Sequence, residues 1–201
     1  MVYPVSRLAE RRLPDVDPGA AIQDPLQHLV ACHDRIEQRL QILERVIPHL
    51  RSDSEEKRRE ARQDLDNALH FLEVMGTLHT QDEEESVFPR VLASAGDDAP
   101  MLLELTTMLE TQHREKEAVF DQLKSHVAGF PAAPAPPSPE QASRFEGLVA
   151  QLTGLYRPHI MIENERLIPM SAPHLNPAQS DEISQEMRAR RGVDGPLGNR
   201  A

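Results

Sequence analysis

Four long stretches of the sequence carry apolar residues at intervals of three and four, the spacing of an amphipathic helix. This pattern constrains the fold more than any other feature of the sequence. No segment shows the alternation of apolar and polar residues that is typical of a strand. Aromatic residues are only 3% of the chain, so the core must be mainly aliphatic, a composition that favours helices. We therefore predict an all-α protein, an antiparallel up-down four-helix bundle with a short C-terminal helix. An extended helical repeat is the weaker alternative, because the sequence has no internal period.

Capping residues and prolines set the expected helix ends. Asp24 and the Ser138–Pro139 pair are start signals, Pro48 should kink or end the first helix, and Pro89 should lie where the second one stops. The proline-rich residues 131–139 are predicted to form a stiff surface connector. The predicted helices run from Ile22 to about Ile47, from near Ser54 to about Phe88, from about Pro100 to Val127, from Ser138 past Ile162, and from about Pro177 to Arg190.

Three regions are expected along the chain. Residues 1–20, which contain three prolines, form an irregular lead-in, and residues 21–172 form the bundle. Residues 173–201 form a short polar helix on the outside of the domain, followed by a tail from Gly192 that is expected to be disordered.

Charge and cysteine content narrow the classes of partner and site. The formal charge of -11 and the lack of a long basic stripe disfavour nucleic acid or an anionic membrane as the partner. The single Cys32 excludes a disulfide framework and a cysteine-rich metal site, and its expected role is that of a small buried apolar residue. Residues 1–15 lack an unbroken apolar run, and no other run approaches the ~20 residues that span a bilayer, so a cytoplasmic location is expected.

One histidine lies on the apolar line of each of the four long helices. These are His33, His79, His113 and His159, and each is followed four residues later by a glutamate, namely Glu37, Glu83, Glu117 and Glu163. Positions i and i+4 are about 40° apart around a helix, so both side chains can reach one metal ion. The alternative is a set of core histidines, each bonded to the glutamate of its own helix. Burying four imidazoles and several carboxylates without a metal would cost several kcal/mol per unpaired charge, so a metal site is favoured.

The remaining candidates are predicted to lie outside this site. By the same helical geometry, His28, His70 and His126 face away, while His49 and His174 lie near helix ends. In the acidic run of residues 82–85 only Glu83 shares the face of His79, so its neighbours are expected to be a solvated surface.

Four segments around these histidines resemble the hemerythrin-like family of His-His-Glu cation-binding domains. They are ACHDRIE from Ala31, HTQDEEESVFP from His79, TQHREKE from Thr111 and HIMIENERLIP from His159. The resemblance covers about residues 24–170, and the tail segment EMRARRG from Glu186 is similar to the usual ending of bacterial members.

The resemblance implies a non-haem di-iron centre with terminal histidines and two bridging carboxylates. Carried over position by position, the terminal ligands would be His33, His79, His113 and His159, and the bridges Glu83 and Glu163. Oxygen-carrying hemerythrins have a further histidine where this chain has Glu117, and an aspartate where it has Asn164. The roles of Glu37 and Glu117 therefore stay open: each could be an additional metal ligand or a residue that supports the ligands.

The pattern of four histidines and two glutamates is closer to that of bacterial members linked to nitric oxide stress and iron–sulfur cluster repair. From this sequence, the cysteine-containing N-terminal domain that many of them carry is not expected. The first functional hypothesis is binding or sensing of O2 or NO, with a redox or signalling protein as a partner. The alternatives are an enzyme of NO or peroxide detoxification or of cluster repair, and iron sensing or storage. Two iron ions are expected, while manganese and zinc stay open because His and Glu bind all three metals.

Overall fold

The computed structural model describes residues 22–192, and within that range the chain is helical with no strand. The all-α prediction is confirmed. The predicted lead-in of residues 1–20 and the predicted tail beyond Gly192 lie outside the described residues. In chain order the helices are α1 Pro25–Leu50, α2 Glu55–Gln81, α3 Phe88–Ser94, α4 Ala99–Ala128, α5 Pro139–Ile162, α6 Ile168–Ser171 and α7 Pro177–Arg190. Two π-helical segments, Asp82–Val87 and Glu163–Leu167, join α2 to α3 and α5 to α6 without a break.

The helices begin where the sequence provides a cap. The Asp24 carboxylate accepts the backbone N–H groups of Leu26 and Gln27 at the start of α1. At the start of α5, Ser138 and Gln141 bond each other's backbone in a capping box. These side chains satisfy N–H groups that have no partner inside the helix.

The second long helix extends further than predicted. It was expected to stop around Phe88 and Pro89, but the helical path continues through α3 to Ser94. The Phe88 N–H donates to the carbonyl of Glu83, five residues back, so the turn is widened at this point. Pro89 lies at the start of α3, where its missing N–H is tolerated. The chain turns instead at Gly96, whose φ of 53° suits glycine.

The long helices pack on one another around two apolar clusters. α1 packs against α2 and α5, and α5 packs against α4. One cluster, which includes Leu40, Leu65, Leu123 and Phe145, fills the end nearest the α1–α2 turn. The other, which includes Leu29, Leu102, Leu109 and Leu167, fills the opposite end. The four histidines of the sequence pattern lie along the helices between these two clusters, so the bundle has a polar layer with an apolar core on each side.

The C-terminal helix α7 has the predicted bounds but a different place in the fold. It was expected on the outside, yet Ile183 and Met187 are completely buried in the same cluster as Val87 and Val91. Their spacing of four residues places both on one face of α7. This helix is therefore part of the core that closes one end of the bundle. No helix of the described residues is both long enough and apolar enough to span a lipid bilayer.

We predict that Ile183→Ala lowers the free energy of unfolding by about 2–5 kcal/mol, the usual effect of emptying a fully buried aliphatic position. Urea denaturation followed by circular dichroism measures the change. Gln185→Ala, at an exposed position of the same helix, is the control and should have little effect. Equal stability of the two variants would show that α7 does not pack as described.

Candidate metal centre

The four histidines and two glutamates meet in the polar layer between the two apolar clusters. His33 projects from α1, His113 from α4, and His79 and His159 from the last turns of α2 and α5. Glu83 and Glu163 follow in the two π-helical segments. All six side chains are buried, and the two glutamates are completely inaccessible. π-helical turns are frequently found at functional sites, which agrees with their position at this cluster.

The sequence gives both π-helical segments the same pattern. In each one a histidine is followed by a glutamate at i+4 and a proline at i+10: His79 with Pro89, and His159 with Pro169. Because proline lacks an N–H, it interrupts the regular i to i−4 bonding beyond the glutamate. The Phe88 and Ile168 N–H groups bond five residues back instead, at Glu83 and Glu163.

The ligand atoms form two groups that share both glutamates. One group contains His33, His79, Glu83 and Glu163, and the other contains His113, His159 and the same two glutamates. Within each group the ligand atoms lie within 4.8 Å of one another. The imidazole rings are paired accordingly, with centroids 4.8 Å apart in each pair. The other five histidines belong to neither group.

The distances within the groups are those expected of atoms around a common ion. Two ligands at about 2.1 Å from one ion lie about 3 Å apart when adjacent and about 4 Å apart when opposite. Four distances represent the cluster: His33 Nε2 to Glu163 Oε2 3.0 Å, His79 Nε2 to Glu83 Oε2 3.6 Å, His113 Nε2 to Glu83 Oε2 3.3 Å, and His159 Nε2 to Glu163 Oε1 2.6 Å.

Several of these buried atoms make no hydrogen bond. Their lack of partners indicates whether a metal ion would fit between them. The Nε2 atoms of His113 and His159 and both carboxylate oxygens of Glu83 and Glu163 lack a hydrogen-bonded partner among the described residues. They approach one another closely, but without the angles of a hydrogen bond. Buried polar atoms left unpaired are costly, whereas a cation between them would satisfy all of them. The residues present therefore fit a metal.

Neighbouring side chains orient three of the four imidazoles. Nδ1 of His33 bonds the Asn164 side-chain oxygen at 2.7 Å, Nδ1 of His113 bonds Glu84 at 2.6 Å, and Nδ1 of His159 bonds Gln112 at 2.8 Å. Each acceptor holds the proton on Nδ1, so the Nε2 lone pair faces the cluster. Such partners fix the orientation and basicity of metal-binding histidines.

The buried groups of the cluster shift one another's pKa values. Burial and the nearby Glu163 raise the pKa of Glu83 to about 7. Burial acts in the same direction on Glu163, but its histidine contacts outweigh it and hold that pKa well below the usual range. Burial lowers the pKa of His159 to about 4 and that of His79 well below its ordinary value. Burial acts in the same direction on His33 and His113, but their contacts with Glu163 and Glu83 outweigh it, raising the pKa of His33 and bringing that of His113 to about 9. Neutral imidazoles and a carboxylate are the forms that bind metal.

Two residues of the acidic run are not the solvated surface that was predicted. Asp82 is completely buried, and Arg190 at the end of α7 and Arg191 directly after it approach the Asp82 carboxylate to 3.0 Å and 2.6 Å. Glu84 bonds His113, as described above. The prediction was wrong for Asp82, because it treated the run as regular helix with nothing packed on its outer side. The run is instead π-helical, and α7 packs on its outer side. Glu84 is partly exposed, but its bond to His113 was not predicted.

Glu37 and Glu117, whose roles the sequence left undecided, lie outside the cluster. Glu37 pairs with Arg157 of α5 at 3.0 Å and with Gln41, and it belongs to neither ligand group. Glu117 is exposed and lies at the rim of a pocket between α2 and α4. Cys32 is buried, as expected, and burial raises the pKa of its thiol.

The family model of the hemerythrin HHE cation-binding domain matches residues 24–171, about three quarters of the chain. The chain belongs to the hemerythrin HHE cation-binding domain family. The match spans both ligand groups and ends before α7. Neither the curated proteins nor the solved structures gave a match to the chain. Cation binding is thus supported both by membership of the hemerythrin family and by the buried His and Glu groups.

The supporting residues of this hemerythrin-like centre were missed at the level of sequence, although each adjoins a proposed ligand. Gln112 precedes His113, Glu84 follows Glu83 and Asn164 follows Glu163. Adjacency alone could not identify them, because each one bonds a histidine on a different helix. Lys116, buried one turn beyond His113, was also missed, since lysine is rarely buried.

We predict that Asp82→Asn destabilises the protein by about 3–5 kcal/mol, because it leaves Arg190 and Arg191, at the C-terminal end of α7, without their buried carboxylate. Thermal and urea unfolding measure the loss. Glu85→Gln removes an exposed contact to Arg190 and should change stability by less than about 1 kcal/mol. A harmless Asp82→Asn would contradict the described role of α7.

We also predict that Glu37→Gln leaves the metal content unchanged and has only a small effect on stability at neutral pH. The Arg157 guanidinium holds the pKa of Glu37 below its ordinary value of 4.5, so this contribution is present above about pH 4.5 and is lost as the pH falls further. The stability difference from wild type should therefore shrink in acid. Loss of metal in this variant would instead make Glu37 a ligand.

Proposed function

We propose that this protein is a non-haem di-iron protein that binds or senses a small diatomic ligand, O2 or NO. The observation that carries the proposal is the sharing of Glu83 and Glu163 by two separate histidine pairs. One carboxylate between two histidine pairs could serve a single ion, but two such carboxylates suit a pair of ions. His33, His79, His113 and His159 would be the terminal ligands.

A pair of irons would supply two electrons and binding positions for a small ligand. Each ligand group contains only four side chains, and Glu37 and Glu117 belong to neither group. Each iron would therefore keep a coordination position for an exogenous ligand. The protein orients the histidines through Asn164, Glu84 and Gln112.

The surroundings of the cluster also suit binding of a gas. Leu29, Ile36, Leu72 and Leu109 are almost completely buried next to the histidine layer. An apolar shell limits access of water and favours an uncharged diatomic molecule over bulk solvent. A route to the exterior is provided by the pocket between α2 and α4, which reaches His113.

We also propose the antiparallel up-down arrangement of α1, α2, α4 and α5. Cross-helix contacts support it: in α1 and α2, Arg39 lies over Phe71, and His33, further from the turn, meets His79. In α2 and α4, Lys124 bonds Glu73 while His113 bonds Glu84. In each pair of helices, the contact that lies closer to the C-terminus of one helix lies closer to the N-terminus of the other, as antiparallel packing requires.

The domain limits at residues 21–172, the cytoplasmic location and a redox or signalling partner stay predictions.

Ligand binding is tested by loading the protein with Fe(II) without oxygen and then admitting O2 or NO. We expect a charge-transfer band in the near ultraviolet, because electron density moves between the bound ligand and iron. Absorbance spectra before and after exposure measure it, with metal analysis of the same sample. Two irons per chain and no spectral change would contradict ligand binding while leaving the metal centre intact.

The roles of the glutamates are separated by two matched substitutions. Glu163→Gln should reduce bound iron from two ions to one or none, because it removes a ligand that both ions share. Glu117→Gln should retain both ions, since Glu117 follows its histidine at the same spacing but is exposed outside the cluster. Plasma emission spectrometry after removal of free iron gives the ratios. Equal iron content in the two variants would refute the assigned bridge.

The second candidate is an enzyme that reduces NO or peroxide or repairs iron–sulfur clusters. Its support is the presence of Lys116 and Tyr156, two buried groups that carry protons, in the pocket that reaches His113, with Glu117 at the rim. Repeated consumption of NO or H2O2 with an added reductant would distinguish this enzyme from a carrier. Glu117→Gln should slow such turnover without loss of iron if Glu117 carries protons.

A further inference from the structure

The π-helical turn Asp82–Val87 is held from its outer side by the C-terminal end of α7. Glu83 of this turn belongs to both buried ligand groups. Asp82, the residue before it, pairs with Arg190 at 3.0 Å and with Arg191, directly after α7, at 2.6 Å. Neighbouring residues of a helical turn point roughly 100° apart, so Asp82 can face α7 while Glu83 faces the cluster.

Contacts on the other side of Glu83 reach the same helix. The Ser86 hydroxyl, three residues later, donates to the Glu186 carboxylate at 2.6 Å. Arg90, one turn further on, donates to both oxygens of that carboxylate at 3.1 Å and 2.7 Å. The end of α7 therefore holds the chain both before and after the proposed ligand Glu83.

These contacts involve only one of the two π-helical turns. α7 packs against the turn Asp82–Val87. Within the described part of the chain, no hydrogen bond or ion pair joins the other turn, Glu163–Leu167, to α7 or to Arg191. The two turns share a histidine, glutamate and proline pattern but differ in what covers them, so α7 acts on the ligand of one turn.

Docking of α7 brings together groups that are costly when apart. The Arg191 side chain is 1% exposed and that of Asp82 is 0% exposed, and such buried charges are tolerated only when they are paired. Ile183 and Met187 are completely buried in the same apolar cluster as Val87, the last residue of the turn. The position of the turn and the docking of α7 therefore depend on each other.

Metal binding would hold the same turn from the inside. A carboxylate that coordinates an ion is fixed at about 2.1 Å from it, and this fixes the backbone that carries the carboxylate. Ligation of Glu83 and docking of α7 thus favour one and the same position of the turn. Two interactions that favour the same conformation strengthen each other, by an equal factor in both directions.

We propose that docking of α7 is thermodynamically coupled to metal binding. The ion pair of Asp82 with Arg191 positions Glu83 for the metal, and bound metal in turn tightens the docking of α7. Asp82 and Arg191 are positioning residues, since they act through Glu83. The buried centre thereby controls an element at the surface of the bundle. This inference rests on the proposed metal centre and adds a means by which its occupancy changes the rest of the protein.

The first test is the Kd for Fe(II), measured without oxygen by competition with a chromophoric chelator. We expect Arg191→Gln to raise this Kd by about fivefold or more. The sign is decisive: loss of a positive charge near the cluster would by itself strengthen cation binding, so weaker binding reports lost positioning. Arg59→Gln makes the same change in net charge at an exposed position of α2 and should stay within about twofold of wild type.

A second pair of variants tests the docking of α7 without a change of charge. Ile183→Ala, which weakens the apolar contact of α7, should raise the Fe(II) Kd by about threefold or more. Leu65→Ala removes an equally buried side chain from the apolar cluster at the opposite end of the bundle and should stay within about twofold. An equal Kd in the two variants would overturn the coupling.

Hydrogen exchange of the wild-type protein tests the reverse direction. We expect Fe(II) to slow exchange of the backbone amides of residues 177–190 by about threefold or more. Two bound irons with unchanged exchange in α7 would overturn the coupling alone, as would an Arg191→Gln protein that binds Fe(II) as tightly as wild type or more tightly. A wild-type protein that binds no Fe(II) would contradict the proposed function itself. If Arg191→Gln does not fold, the Ile183 and Leu65 variants and the exchange measurement decide.

Discussion

Two completely buried carboxylates, Glu83 and Glu163, are the constraint on which the rest of the structure depends. Charges so far from solvent are tolerated only with close partners of opposite charge, and here the nearest groups are four imidazoles. Protein groups alone satisfy them poorly, since both carboxylates lack hydrogen bonds within the described residues. The apolar clusters on both sides provide the stability that lets the bundle hold such a layer.

The sequence contained most of the fold and the centre of the site. Helical periodicity, caps and prolines predicted the long helices, and one histidine per apolar line predicted the residues that the structure brings together. Spacing alone could not separate Glu83 and Glu163 from Glu37 and Glu117, because all four follow a histidine at i+4. The structure distinguishes them by contacts between helices: Arg157 draws Glu37 away, and Glu117 lies on the exposed side of α4.

The parts that sequence reasoning missed depend on tertiary contacts and on the two π-helical turns. Asp82 would be exposed on a regular helix without α7, but Arg190 and Arg191 at the C-terminal end of α7 enclose it. This places a buried ion pair next to Glu83, so the C-terminal helix is linked to the proposed metal ligands although it lies outside the matched family domain. Lys116 is similar: its helical position indicates an inward direction, but only the pocket beside Tyr156 explains a lysine there.

The most direct measurement is anomalous X-ray diffraction from crystals of the protein purified without added metal. The account predicts two anomalous peaks per chain, one beside His33 and His79 and the other beside His113 and His159. Each peak should lie about 2.0–2.2 Å from an oxygen of Glu83 and from an oxygen of Glu163. A single peak, or two peaks that do not share these glutamates, would contradict the proposed two-metal centre.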